Sequence, residues 1–376
     1  MNTTGDQQLV KRINRSVLLR LLRKQDGLSR AQLAKESGLT KSTVSLLVQG
    51  LQQDGWLIEG DAASEKRLGR PSTPLHIDTT RKGLIGVEVA VDTLRVVGVS
   101  LTGEALCAID EPLVDTSPRA TCKQAAKLVK RISADLAGRG LQLHGLGVGL
   151  PGAFDEATGI LTFAPNLGWR NVDFVPLMTS ALAKAGVPAV PVHVQNEADT
   201  AALSEYEFTN HELDNGAAND SLIFVTCGVG VGAGIVLNDR LFTGVQGMAG
   251  EIGHSILQLG GTLCSCGRRG CAETFFGERV LGKLKNPAEG GQYLGLVLHN
   301  LWTTFNPGAI VVGGSSCARY PAIVEVAQKT LEGYAKSAAI APAPKVRTAS
   351  YGLLASAVGA AALVLHHELR PMHGRN

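Results

Sequence analysis

Residues 250–273 bring together four side chains that bind transition metals. His254, Cys264, Cys266 and Cys271 offer one nitrogen and three sulfur ligands, and the sulfurs follow the spacing Cys-x-Cys-Gly-x-x-Gly-Cys. Structural zinc sites are closed and four-coordinate, whereas catalytic zinc sites keep one position for water. Because four protein ligands leave no open position, the segment predicts a structural Zn²⁺ site. Reduced cysteines in a tight loop are the alternative.

Two glutamates lie beside this predicted metal site. Glu251 precedes His254 by three residues, and Glu273 follows Cys271 by two. A metal that binds one ring nitrogen of a histidine fixes the ring and leaves the other nitrogen as a directed donor. The glutamates are therefore either ordinary surface charges or, with the histidine, part of a ligand site that the zinc supports.

The composition is that of a globular protein with two or three domains. The chain has 376 residues, of which 44% are apolar and 18% charged. The sequence has no apolar run of eighteen residues and no secretory signal at its N-terminus. Seven cysteines are an odd number, and four of them are scattered, which indicates reduced thiols. We expect a cytoplasmic protein with no membrane partner.

The net charge of +3 conceals a basic segment on an acidic body. Residues 1–82 hold 14 Lys+Arg and 8 Asp+Glu, and the remaining residues hold 22 and 25. This asymmetry indicates nucleic-acid binding at one end of the chain, with an ordinary solvated surface as the alternative.

The basic segment carries a helix-turn-helix pattern. Ser29 and Gln32 form a capping box, Gly38 permits a sharp turn, and Thr40 caps a following helix with a buried apolar face. The exposed face of this recognition helix predicts contacts to bases and phosphates in a major groove. Its side chains are those of Lys41, Ser42, Thr43, Ser45 and Gln49. A plain three-helix bundle is the alternative.

A wing follows the recognition helix and strengthens the DNA-binding prediction. Residues 56–78 read as a strand, a polar loop and a second strand, and the loop carries Arg67 and Arg70. An arginine on the stiff Gly-Arg-Pro stretch suits a narrow, A·T-rich minor groove. We predict a winged helix-turn-helix domain over residues 1–80. Since one module makes few base contacts, a dimer on palindromic operator DNA is expected.

The rest of the chain, residues 83–376, reads as an α/β domain. Apolar strands alternate with helices, and glycines cluster where strands end. Domains of this class bind ligands at the carboxyl ends of their strands.

Four motifs give this body a family resemblance. They are PNLGW at 165–169, NEA at 196–198, GEIGH at 250–254 and the cysteine motif ending in glutamate at 264–273. The body resembles the ROK family of sugar kinases and sugar-responsive repressors. The resemblance implies a two-lobed actin-like ATPase fold and a homodimer or tetramer. Lobe one is expected over about 83–195 plus the C-terminal helix at 352–376, and lobe two over about 196–351.

The resemblance also implies a set of sugar contacts. These are Gly152, Asn166, Asn196, Glu197, Glu251, His254 and Glu273. Carboxylates and amides pair with adjacent ring hydroxyls, and an unmatched hydroxyl is costly in a closed cleft. Trp169 either stacks on a sugar face or packs in the core.

The residues that hold ATP phosphates in the ROK kinases are altered. Where the kinases have Asp-x-Gly-Gly-Thr, this chain has Glu88, then Ala90, Val91 and Asp92. Cβ atoms block a close backbone approach, and an added carboxylate repels phosphate. The kinase base, the aspartate of an Asn-Asp-Ala run, is Glu197 here. We therefore predict that the protein is not an enzyme.

The sequence favours a DNA-binding repressor whose operator affinity changes when a free sugar binds. Within the family the resemblance is greatest to repressors that respond to xylose, with glucose or an amino sugar as the next candidates. A ROK-type kinase that phosphorylates a hexose with ATP is the alternative. A regulator controlled by another protein is a third reading, against which the intact set of carboxylates argues.

Overall fold

The first eighty residues form three helices and a small sheet. The computed structural model describes residues 7–61, 73–209, 221–338 and 342–371. The helices are α1 (Gln7–Lys24), α2 (Arg30–Ser37) and α3 (Lys41–Gln53), and the antiparallel strands are β1 (Leu57–Glu59) and β2 (Leu75–Ile77). This is the predicted order of a winged helix-turn-helix. The predicted wing residues Arg67 and Arg70 lie outside the described residues.

Local sequence signals set the ends of α2 and α3. Ser29 and Gln32 form the predicted capping box, and Gly38 ends α2 with a φ of 71°. The Thr40 side chain accepts a hydrogen bond from the backbone N–H of Thr43 and so begins α3. These predicted helix ends are confirmed. The buried face of α3 consists of Val44, Leu47, Val48 and Leu51.

The first lobe of the body is a five-stranded sheet with a small sheet beside it. Its elements in chain order are β3 (Lys82–Val89), β4 (Thr93–Ser100), β5 (Ala105–Pro112), α4 (Pro118–Gly138), β6 (Gln142–Leu150), β7 (Ala153–Asp155), β8 (Ile160–Ala164), β9 (Trp169–Val172), α5 (Phe174–Ala185) and β10 (Val192–Asn196). The sheet order is β10-β6-β3-β4-β5, and β7, β8 and β9 form the separate small sheet.

The second lobe is a second five-stranded sheet with helices. Its strands are β11 (Leu222–Cys227), β12 (Val231–Leu237), β13 (Arg240–Leu241), β14 (Ala309–Gly313) and β15 (Val346–Thr348), in the order β13-β12-β11-β14-β15. The helices from α6 onward are α6 (Glu197–Phe208), α7 (Glu273–Phe276), α8 (Glu278–Leu281), α9 (Gly290–Phe305), α10 (Ser315–Arg319) and α11 (Ala322–Ala338). The last helix, α12 (Ala355–Glu368), packs on the first sheet.

The two sheets share one topology. In each, three consecutive strands form an antiparallel meander, a fourth strand pairs in parallel with the first of them, and a fifth pairs in parallel with the fourth. This duplication is the two-lobed actin-like arrangement that the family resemblance implies. Within the described ranges, no helix combines the length and apolar character needed to cross a membrane.

Helices α6 and α12 pack together where the lobes meet. α12 lies against β3 and β6 of the first sheet, and α6 lies against β12 of the second. The contacts are too close for side chains: a Cβ on Gly359 of α12 would lie 1.6 Å from the Thr200 carbonyl oxygen of α6. The predicted C-terminal helix at 352–376 corresponds to α12, and its close contact with α6 joins the two lobes.

The winged domain packs directly on the body. Leu18 and Leu22 of α1 share one buried cluster with Val97 and Leu101 of the first lobe and with Leu365 of α12. Among the described residues, the core of the winged domain is therefore continuous with that of the first lobe and α12, and its position depends on their surface.

Candidate functional site

A cavity of about 70 Å³ lies between the lobes at the carboxyl ends of β6 and β10. All seven residues predicted to contact a sugar line it. They are Gly152, Asn166, Asn196, Glu197, Glu251, His254 and Glu273. Five separate segments of the chain therefore converge on one small polar space.

Asn196 fastens the loop after β6 to the start of α6. Its side-chain amide donates to the Gly152 carbonyl at 2.8 Å, and its Oδ1 accepts from the backbone N–H of Ala198 at 2.7 Å. Gly152 has a φ of 98°, and a Cβ there would lie 2.1 Å from the Phe163 carbonyl oxygen, so only glycine fits. Asn196 therefore holds the cavity wall in place as well as facing the cavity.

Glu197 is the most perturbed acid that faces the cavity. Its pKa is raised to about 8, chiefly by burial and in addition by the nearby carboxylates of Glu88 and Glu251. No hydrogen bond from a described residue reaches its carboxyl group. At neutral pH the group is therefore a carboxylic acid that can both donate to and accept from a hydroxyl group of a ligand.

Glu197→Gln is expected to become more stable than the wild type as pH rises. The unfolded chain releases this proton near pH 4.5, whereas the folded chain holds it to about pH 8. The wild type therefore loses stability between those values, by up to about 1.4 kcal/mol per pH unit. Urea unfolding of both proteins from pH 5 to 9 measures this. The difference should grow up to pH 8 and then level off, and parallel curves would contradict the assignment.

Glu251 and Glu273 face the cavity from the second lobe. Burial raises the pKa of Glu251, His254 opposes that shift, and Glu273 adds to it. The Glu273 carboxylate accepts from the backbone N–H of Val231 at 3.3 Å, which fixes it near the start of β12. Both acids thus have defined positions in the cavity wall, unlike freely solvated surface glutamates.

The four predicted metal ligands form one compact cluster. The ligand atoms of His254, Cys264, Cys266 and Cys271 all lie within 4.8 Å of one another. Cys264 Sγ is 3.7 Å from His254 Nδ1, and Cys266 Sγ is 3.7 Å from Cys271 Sγ. Ligands about 2.3 Å from a tetrahedral zinc ion lie roughly 3.8 Å apart, so these residues fit Zn²⁺. His254 belongs to both this cluster and the cavity wall.

A second cavity of about 330 Å³ adjoins the first on the side of β3 and β4. Ala90, Val91 and Asp92, the altered phosphate-loop residues, line it. Glu88 also lines it and accepts from Arg95 at 2.7 Å. The side chains that replace the kinase glycines therefore face the space where a nucleotide would need backbone amides.

Arg95, which was not predicted from the sequence, is a hydrogen-bonding centre of this region. It donates to Asp110 at 2.9 Å and to the Leu353 carbonyl at 2.7 Å, besides its bond to Glu88. A charged residue within the apolar strand β4 was the available signal. For Trp169 the sequence allows either stacking on a sugar or packing in the core. The residue is only 4% exposed and lines neither cavity, so it is a core residue.

The outer face of α3 is available to DNA. Lys41, Ser42, Ser45 and Gln49 are exposed, whereas Thr43 is half-buried and its hydroxyl lies 2.8 Å from that of Thr40. Thr43 thus serves the helix cap as well as facing outward. Leu46 is not among the predicted DNA contacts, but its side chain is 71% exposed on the same helix. An exposed apolar side chain there is suited to contact with a thymine methyl group.

Two family models match the chain. The ROK family model matches residues 84–289 and 287–367, and the IclR helix-turn-helix domain model matches residues 16–59. The chain belongs to the ROK family. Its ROK portion contains both cavities and the cysteine cluster, and its helix-turn-helix portion contains α3.

Curated ROK relatives include both regulators and enzymes. The xylose repressor of Bacillus subtilis (strain 168) is 30% identical over an alignment of 398 positions, gaps included. The alignment covers 97% of this chain and 98% of that repressor. The glucokinase of Halalkalibacterium halodurans is 29% identical over 327 residues, covering 76% of this chain and 95% of that enzyme. The repressor thus matches along the DNA-binding domain as well as the ROK body.

Solved ROK structures show the same division. A ROK family transcriptional regulator, a homologue of Escherichia coli Mlc, has a TM-score of 0.75 at 20% identity and covers 97% of this chain and 98% of its own. A ROK glucokinase from Streptomyces griseus, solved with glucose and AMPPNP, has a TM-score of 0.62 at 25% identity and covers 75% of this chain and 98% of its own. The winged domain and the ROK body of this chain therefore share the fold of the first of these structures along nearly its whole length.

Proposed function

We propose that this ROK protein is a transcriptional repressor that binds operator DNA through its winged helix-turn-helix and responds to a free sugar, xylose, in the smaller cavity. The observation that carries the proposal is the convergence of seven sugar-contact positions on one cavity in a chain whose DNA-binding domain packs on the same lobes. Similarity to xylose repressors along nearly the whole chain supports the choice of sugar.

The sugar signal is proposed to pass through α6. This helix begins at the cavity with Glu197 and ends beside α1 of the DNA-binding domain. There the Glu207 carboxylate accepts from Arg370 at 2.7 Å and from His366 Nδ1 at 2.8 Å, and lies 3.7 Å from Arg23 of α1. A sugar that moves the start of α6 therefore acts on the contact that holds α1.

Besides the contact of Arg23 with Glu207, another ion pair joins α1 to the second lobe. Arg20 pairs with Asp239 in the turn between β12 and β13, and Arg370 donates to the same carboxylate at 2.6 Å. The apolar face of α1 packs on the first lobe, whereas two of its four arginines, Arg20 and Arg23, reach acids of the second. A change in the angle between the lobes would shift α1 and so change the spacing of the two recognition helices in a dimer.

Operator binding with and without xylose tests the proposal. A palindromic fragment from the protein's own promoter should bind at moderate salt, and saturating xylose should change its affinity about fivefold or more. An inducer lowers the affinity, and a co-repressor raises it. Absence of operator binding, or an affinity that no pentose or hexose alters, would contradict the proposal.

Gln49→Ala is expected to weaken operator binding and to relax its sequence preference. A bidentate glutamine–base contact in the major groove contributes about 1–3 kcal/mol of discrimination. Gln53→Ala is the matched control, because Gln53 is also exposed but lies at the last position of α3, one turn beyond Gln49 and farther from the N-terminus of the helix. Fluorescence anisotropy with operator and scrambled DNA measures both variants. Equal losses in the two variants would contradict a base contact by Gln49.

The proposed repressor does not transfer phosphate. The larger cavity presents Glu88, Asp92 and Glu278, and its one lining cation among the described residues, Arg95, is already paired with Glu88 and Asp110. Such a site opposes the negative charge of a nucleotide. A kinase is the second candidate because Glu197 faces the cavity as a carboxyl group. Coupled ADP release with Mg²⁺ across pentoses and hexoses decides between them, since turnover above background would favour the kinase.

In this proposal Zn²⁺ serves as a scaffold for the sugar site. Bound by His254, Cys264, Cys266 and Cys271, it would fix the imidazole ring of His254, a residue that also lines the cavity. The metal would thereby also set the path of the loop that carries Glu273 back toward Glu251. Its role is structural, since the four side chains complete a tetrahedral set.

A further inference from the structure

We infer that the effector cleft takes a neutral disaccharide, with one glycosyl unit in the smaller cavity and the second in the larger cavity beside Glu88 and Glu278. The inference rests on the proposed function, because it assumes that a sugar occupies the smaller cavity. It adds the class of the full ligand, a disaccharide of the same pentose.

The two cavities are neighbouring parts of the cleft between the lobes. Asn166, Glu197, Thr226 and Gly230 line both of them, so the cavities meet at these four residues. The smaller cavity of about 70 Å³ is far below the usual 300–1,000 Å³ of ligand pockets, and the larger one of about 330 Å³ is within that range. A monosaccharide confined to the first would leave most of the cleft to water.

The charges around the larger cavity select against anions. Glu88, Asp92 and Glu278 supply negative charge, and Arg95 is the one cationic side chain among the described lining residues. Arg95 makes hydrogen bonds to Glu88, Asp110 and a backbone carbonyl, which leaves little positive charge for a phosphate group. A sugar phosphate or nucleotide would meet net repulsion, whereas an uncharged ligand would not.

The polar groups of the larger cavity suit a ligand rich in hydroxyl groups. Glu278 accepts from the Ser315 hydroxyl at 2.7 Å, and both groups line the cavity. Thr93 and Thr226 add two further hydroxyl groups that donate or accept. At the junction of the cavities, the carboxyl group of the half-buried Glu197 receives no hydrogen bond from a described residue. A ligand that spans the junction would supply its partner.

Calorimetry on the full-length zinc-loaded protein tests this inference with xylose, xylobiose and Mg²⁺-ATP. Xylobiose is expected to bind at least tenfold more tightly than xylose, and Mg²⁺-ATP is expected not to bind. Val91→Trp from the first lobe and Val229→Trp from the second both fill the larger cavity. Each should weaken xylobiose binding at least tenfold and leave the Kd of xylose within about twofold. Val114→Trp, at a position 90% exposed and outside both cavities, is the matched control.

The outcomes separate this inference from the proposed function. If xylose binds but xylobiose binds no more tightly, or if both tryptophan variants leave xylobiose affinity unchanged, the disaccharide inference is wrong and the repressor proposal stands. Loss of xylose binding in both variants would show that the cavities are not separate subsites and would also overturn it. Competition between Mg²⁺-ATP and xylobiose would overturn the neutral-ligand argument. If neither sugar binds, the proposed function fails as well.

Discussion

Glu207→Gln is expected to destabilise the protein by about 3 kcal/mol and to abolish the sugar response. Glutamine keeps the volume of the side chain but removes the charge that Arg23, His366 and Arg370 share. Removing one partner of a buried ion pair typically costs about 3–5 kcal/mol, because it leaves unpaired charge in the interior. The Glu207 side chain is only 5% exposed, so solvent offers little compensation.

The pKa of Glu207 supports this expectation. Burial alone would raise it, but Arg370, His366 and Arg23 together hold it well below the ordinary range of a carboxyl group. The carboxylate therefore stays ionised in the folded protein at neutral pH and stabilises the contact between α6, α12 and α1.

Two measurements follow the effect of Glu207→Gln. Urea unfolding gives the change in the free energy of unfolding, and hydrogen exchange of the α1 amides reports whether that helix loosens locally. Glu111→Gln is the matched control, because Glu111 pairs with Arg131 on the surface with 38% and 59% of the side chains exposed. That change should cost less than about 1 kcal/mol. A Glu207→Gln protein that still changes operator affinity with xylose would exclude this route for the signal.

Cys264→Ser is expected to lose the metal and the effector response while keeping the winged domain folded. A serine hydroxyl is a poor zinc ligand, and the cluster has no fifth protein ligand among the described residues to replace the thiolate. Without the metal, His254 loses its fixed orientation and the loop that positions Glu273 is released. We expect zinc to fall from about one per chain to well below one, with at least a tenfold loss of sugar affinity, the scale of loss typical of disturbed metal sites.

The control for Cys264→Ser is Cys122→Ser, which alters a cysteine of α4 outside the cluster. It should retain zinc and the sugar response even if the buried hydroxyl lowers stability. Metal analysis, calorimetry with xylose and operator binding without xylose are measured for both. Wild-type sugar affinity in a zinc-free Cys264→Ser protein would show that the metal does not support the sugar site.

Short motifs made much of the fold and of the cleft predictable. The capping box at Ser29 and the cap at Thr40 are local signals, because the residues that interact are three apart in sequence. The motifs at 196–198, 250–254 and 264–273 are similarly compact. A family pattern therefore predicted that their residues meet in one cleft, even though the chain brings them together from five segments.

The contacts that link distant segments were not predictable in this way. Arg23 and Glu207 are 184 residues apart, and neither lies in a recognisable motif. The pairing of Glu88 with Arg95 depends on strand register, since the two residues stand directly opposite each other across β3 and β4. Trp169 could not be assigned because its burial depends on the packing of Phe174, whose ring centroid lies 6.0 Å away. Tertiary packing decided each of these cases.

Because α6 is long, a small tilt at one of its ends displaces the other end by a larger distance. Its 12 residues span about 18 Å at 1.5 Å per residue, with the sugar cavity at one end and the arginines of α1 at the other. A tilt of about 5° at the cavity would displace the far end by roughly 1.6 Å over that length. Hydrogen bonds tolerate only a few tenths of an ångström before they weaken. A closure of the lobes that moves the atoms around the ligand only slightly would therefore displace the far end of α6 by more than its hydrogen bonds tolerate. The arginines of α1 would then have to change their hydrogen-bond partners.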